Sequence, residues 1–134
     1  YLDEIGEGPS LIGDTPEQRA QTRMWTRRVD LKICEPLTNG FRFAEGLPLF
    51  ESRMRVLPEA AAGLKAVAQD GVAWVNSQMG DGPFLCGDRL SLADIMLFTF
   101  LEFGNQVGQP LDPAQDKISA WFERMKSRPA TQQP

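Results

Sequence analysis

Leu85-Cys86-Gly87-Asp88-Arg89-Leu90-Ser91-Leu92-Ala93-Asp94 decides how this chain folds, because several local rules agree on where a helix begins inside it. Ser91 suits an N-cap, and a carboxylate three residues on, at Asp94, can accept from the cap's own amide. Leu90 ahead of the cap can staple onto Ile95. The helix so opened runs to about Phe103. Leu92, Ala93, Ile95, Met96, Leu97, Phe98, Phe100, Leu101 and Phe103 leave it almost no polar face, which predicts a helix at the centre of a bundle. Ahead of it, Gly80-Asp81-Gly82-Pro83 is turn chemistry, and Phe84 to Asp88 reads as an apolar loop folded against the body.

Downstream, Asp112-Pro113-Ala114-Gln115 predicts another helix start. Ile118, Trp121, Phe122 and Met125 then follow at helical spacing, and the helix ends near Ser127, before Arg128-Pro129. Upstream, Glu59 to Met79 reads as a long helix with Leu64, Val67, Ala68, Gly71, Val75 and Gln78 on one face. Earlier still, Thr15-Pro16-Glu17-Gln18 combines a cap, a first-turn proline and a capping-box partner. From there Trp25, Val29, Ile33, Leu37 and Phe41 recur at four-residue steps, a helical pattern to about Ala44. Pro36 lacks an amide proton and predicts a kink one turn back. Tyr1 to Ile5 is an apolar-acidic stub, and Gly6-Glu7-Gly8-Pro9-Ser10 reads as a linker. No strand-like alternation and no repeat interrupts this order. The architecture expected is an all-α bundle of four or five helices.

With 134 residues, 42% of them hydrophobic and 24% charged, the chain can bury a core as one domain. A formal charge of −4, with arginines interleaved among acids, argues against nucleic acid as a partner. No apolar run approaches the ~20 residues that span a bilayer, so no membrane span is expected. Two cysteines, Cys34 and Cys86, cannot form a disulfide framework, and reduced, cytoplasmic thiols are the expectation. Histidine is missing altogether, which removes the commonest general base and most zinc sites. Ser91 and Asp94 therefore read as a structural capping box and not as a catalytic pair. Trp25, Trp74 and Trp121 read as packing residues, and Cys34 as a small buried hydrophobe.

Four segments together resemble the C-terminal domain of cytosolic glutathione transferases over essentially the entire chain. Tyr1-Leu2-Asp3-Glu4 is similar to the end of that family's thioredoxin-like domain. Leu11-Ile12-Gly13 with Thr15-Pro16-Glu17 resembles its linker and first bundle helix. Leu85 to Asp94 resembles its most specific helical motif, departing from it at Cys86, and Trp121-Phe122 through Arg128-Pro129 resembles its closing helix. The resemblance implies that residues 1–14 are a remnant of an upstream thioredoxin-like domain plus linker, and 15–134 the helical domain.

It also implies a division of labour. Glutathione, as co-substrate and not as a resident cofactor, sits on the thioredoxin-like domain, where a Ser, Tyr or Cys stabilises its thiolate. No catalytic residue is then expected in this chain, and the fragment alone is expected to be inactive. The helical domain supplies one wall of the pocket for a small electrophilic substrate and much of a homodimer contact. The candidates are Met24, Arg27, Arg28 and Leu31 on the first helix. An arginine there can pair with a glutathione carboxylate, although a solvated helix face is the ordinary reading of Arg27 and Arg28. A different class of function, a protein–protein interaction module without catalysis, is the alternative.

Overall fold

The computed structural model describes residues 1–131. Its helices are α1 (Leu2–Ile5), α2 (Pro16–Val29), a π turn (Asp30–Cys34), α3 (Glu35–Arg42), α4 (Leu47–Phe50), α5 (Ala61–Gln78), α6 (Leu92–Gln106) and α7 (Asp116–Lys126). The fold is all-α: within the described residues no strand forms, only isolated bridges that pair Phe84 with Gly87 and Cys86 with Arg89 in the loop before α6.

The helix that begins after Thr15 is continuous to Arg42, with its irregularity where Pro36 requires it. Thr15 accepts from the Gln18 amide at 3.2 Å, and the Gln18 side chain accepts from the Asp14 and Thr15 amides. Pro36 offers no proton to the Lys32 carbonyl, and the chain answers with the π turn, in which the Glu35 amide reaches back to Asp30. The Lys32 carbonyl faces α5 at Gly71, so closely that a Cβ there would collide with it. The two long elements pack together at this point.

The core is lined by Val29, Ile33 and Leu37 from the first long element, Val72 and Val75 from α5, Leu97 and Leu101 from α6, and Ile118 and Trp121 from α7. Each fully buried side chain of this size contributes about 1.5 to 3 kcal/mol of transfer free energy. Val67, expected on the inner face of α5, is 51% exposed and Gln78 is exposed too, whereas Val72 is 2% exposed. The buried residues of α5 are Ala61, Ala68, Gly71, Val72 and Val75, followed by Met79 just past its end. α6 is also less enclosed than its composition suggests. Leu92 is 43% exposed, and Ile95, Met96 and Phe100 are half-buried, so one side of it faces a groove.

Three polar devices hold the assembly. Asp94, fully buried, accepts from the Ser91 amide (3.0 Å) and hydroxyl (2.7 Å), the Leu85 amide (2.8 Å) and Trp121 Nε1 (3.0 Å). It thereby ties the loop, the capping box of α6 and the last helix to one carboxylate. At α7 the start is Asp116, not Asp112. Asp112 closes a turn, accepting from the Ala114 amide at 2.9 Å, while Asn76 of α5 accepts from the Ile118 amide at 2.9 Å and caps the helix from across the bundle. Third, the linker is strapped down. Asp3 accepts from the Ser10 hydroxyl and the Leu11 amide, and the Leu11 carbonyl accepts from the Leu92 amide at 3.0 Å.

Candidate functional site

Where the linker crosses between α2 and the first turn of α6, a groove of about 520 Å³ opens, lined by Ile12, Thr22, Arg23, Thr26, Arg27, Asp30, Leu92 and Met96. Its floor is apolar, from Ile12, Leu92 and Met96, and one bank is a helical stripe of polar residues at three- and four-residue steps. A second cleft along the linker shares Ile12 and Leu92 with it, so the apolar surface continues toward Leu11 and Leu2. Volumes of this order suit a small organic molecule.

The bank is rigid. The Arg89 guanidinium donates to Thr22 Oγ1 at 2.7 Å, to the Gln18 carbonyl at 3.3 Å and to the Leu11 carbonyl at 3.5 Å, which joins α2, the linker and the loop before α6. The Thr26 hydroxyl donates back to the Thr22 carbonyl at 2.8 Å. Arg27 pairs with Asp30 at 2.9 Å, in the open, where such a pair is worth at most about 1 kcal/mol.

The four candidates from the sequence do not form one site. Arg27 lines the groove, but Met24 is 39% and Leu31 52% exposed on other parts of the helix surface. Arg28 lies over two indoles, 5.7 Å from the Trp25 ring and 5.5 Å from that of Trp74, and Lys32 Nζ lies 4.4 Å over Trp74. Leu31 faces a separate hollow with Lys32, Val67, Asp70, Gly71 and Trp74. Sequence reasoning missed Ile12, Arg23, Thr26, Leu92 and Met96. The available signal was the stripe Arg23, Thr26 or Arg27, and Asp30; nothing local shows that α6 turns Leu92 and Met96 toward it.

The described residues contain no cluster of three His, Cys, Asp or Glu side chains that could hold a metal ion. Cys34 is enclosed, and burial, with the Asp30 and Glu35 carboxylates adding to it, pushes its thiol up from 9.0 to about 12, far from a nucleophile's range. No described helix is long and apolar enough to cross a membrane.

The described residues thus form an all-helical bundle with a preformed groove beside a strapped N-terminal linker. Comparison with known proteins places it. The family described as glutathione S-transferase, C-terminal domain, matches residues 58–124, and the chain belongs to that family. It is 26% identical to Glutathione S-transferase 2 of Saccharomyces cerevisiae, over 97% of this chain and 56% of that protein. It is 27% identical to FtsZ-localized protein A of Caulobacter vibrioides, over 97% of this chain and 57% of that one. Among solved structures, a glutathione S-transferase domain-containing protein of Marinobacter aquaeolei superposes with a TM-score of 0.88 at 31% identity, covering 98% of this chain and 64% of that chain. The chain thus spans little more than half the length of the curated relatives it matches.

Proposed function

We propose that this chain is the helical substrate-wall and dimerisation half of a glutathione S-transferase whose other half, thioredoxin-like, conjugates glutathione to small electrophiles. Residues 1–14 are then the tail of that half plus the linker, residues 15–134 the helical domain, and the whole protein is a cytoplasmic homodimer. The observation that carries the reading is the groove between α2 and α6, apolar at Ile12, Leu92 and Met96 and lying beside the strapped linker, where an upstream domain would close over it. The electrophile sits in that groove, and glutathione on the domain opposite. Arg27 stands on the bank; Met24, Arg28 and Leu31 serve the dimer contact, with half-buried Trp74 and exposed Val67 beside them. Apolar groups left open in such number mark an interaction surface.

The test is a glutathione conjugation assay on the full-length protein and on residues 1–134 side by side. Turnover by the first and none by the second is expected. Turnover by the isolated chain would overturn the assignment of the chemistry to the other half. The relationship to FtsZ-localized protein A supports a second reading, an interaction module without catalysis. A full-length protein with no conjugating activity and no thioredoxin-like segment ahead of Tyr1 would favour it.

A further inference from the structure

Residues 1–13 are fastened chiefly to one another. The Asp3 carboxylate accepts from the Ser10 hydroxyl at 2.7 Å and from the Leu11 amide, and the Ser10 oxygen in turn accepts from the Gly13 amide at 2.7 Å. These bonds close the segment from α1 to Gly13 into one clasp. Among the described residues, the only group of residues 1–12 that hydrogen-bonds the rest of the molecule is the Leu11 carbonyl, which receives the Leu92 amide at 3.0 Å and Arg89 Nη1 at 3.5 Å. Leu11 and Ile12 are only half-buried, so little apolar area holds the segment down.

Between clasp and bundle stands Gly13. Its amide belongs to the clasp, whereas its carbonyl accepts from Arg19 Nη1 of α2 at 3.2 Å. Rotation at its Cα need break neither bond. Its φ of 113° lies in the region open to glycine, and a Cβ there would meet Gln18 Cβ at 2.6 Å and the Arg19 nitrogen at 2.9 Å.

We propose that residues 1–12 act as a rigid arm that swings on Gly13 and is latched through the single carbonyl of Leu11, so that the position of the arm is passed to the first turn of α6. Latched, the arm supplies an acceptor for the Leu92 amide, one of the first-turn amides that no carbonyl of the same helix can reach. Released, it leaves that amide to solvent while the capping box of Ser91 and Asp94 stays closed. Two hydrogen bonds on one oxygen are weak against a bundle core, so the latch opens well before the bundle does. The device does not depend on the reading of this chain as half of a transferase.

Hydrogen exchange of the whole chain, followed by NMR, tests it. In the wild type the Leu92 amide should exchange at least about a hundredfold faster than that of Leu97 in the buried middle of α6, and equal rates would overturn an independent latch. Gly13→Ala should push the arm off its latch without undoing the clasp. In that variant the Leu92 amide should exchange about tenfold faster again. The Trp121 indole proton should keep its rate, and the Asp3 carboxyl, held below its usual 3.8 first by Ser10 and then by Leu11, should stay there. A Leu92 rate unchanged by the variant removes Gly13 as the pivot, an Asp3 carboxyl that returns to 3.8 removes the rigidity of the arm, and an indole that exchanges together with Leu92 removes its independence of the bundle. Any one of these overturns the proposal.

Discussion

The indole of Trp121 donates its proton to Oδ1 of Asp94 across 3.0 Å, and neither side chain meets solvent. Oδ1 also receives the Leu85 amide, and Oδ2 receives the amide and hydroxyl of Ser91. Every partner is a donor. Asp94→Asn would therefore turn an NH₂ group toward the Leu85 amide and the indole in one orientation and toward the Ser91 amide in the other, where only the Ser91 hydroxyl can turn to accept. We expect a loss of about 3 kcal/mol, read as a lower urea midpoint. A loss under about 1 kcal/mol would mean that the carboxylate is not the tie it is described as.

Two glycines of α5 should respond to alanine in opposite directions. At Gly63 an added Cβ meets nothing within 4 Å, so Gly63→Ala should stabilise by about 0.5 to 1 kcal/mol through helix propensity. At Gly71 the same Cβ would press on the Lys32 carbonyl, and the overpacking outweighs the propensity for a net loss of about 1 to 2 kcal/mol. Thermal melts of the two variants decide it.

Cys34 gives a pH dependence of definite sign. Its thiol is raised in the folded chain to about 12, chiefly by burial, whereas an unfolded thiol ionises near 9.0. The unfolded chain then gives up a proton that the folded chain keeps, so this contribution is complete below 9.0 and is lost as pH rises toward about 12. Comparing urea midpoints of the wild type and Cys34→Ala at pH 8 and pH 10 isolates it: the wild type should lose more. The same burial predicts that Cys34 resists thiol reagents until the chain unfolds.

Asn76→Ala removes the cap that α7 takes from α5 and should cost about 1 kcal/mol. It carries a second readout. The Asp116 carboxyl is held below its usual 3.8, first by the Asn76 side chain at 3.2 Å and then by the Lys117 amide. In the variant an NMR titration should find that carboxyl moved back up. No movement would show that Asn76 does not hold it in solution.

Much of the fold was legible because local rules were reinforced by packing. Thr15 with Gln18, and Ser91 with Asp94, bracket their helices where capping chemistry places them. Trp25, Val29, Ile33 and Leu37 are all buried although four-residue steps overshoot an α-helical turn by about 40° each. The π turn takes up more residues than an α turn and corrects that drift. What could not be read locally was decided between helices. Val67 points outward and Val72 inward because α5 is gripped at Gly71. α7 starts late because its cap is Asn76 and not Asp112. The candidate residues Met24, Arg27, Arg28 and Leu31 scatter because the groove is defined by α6 and the linker, and only Arg27 faces them.

The bond from the Leu92 amide to the Leu11 carbonyl sets a mechanical path through the molecule. Tension on the chain ahead of Leu11 is shared between the first turn of α6, through that bond, and the first half of α2, through Arg89, which also holds Gln18 and Thr22. That turn is anchored through Asp94 to Trp121, deep in the bundle. A pull on the N-terminus therefore reaches the most enclosed part of the protein through two hydrogen bonds, and the strap should detach from α6 before the bundle itself opens.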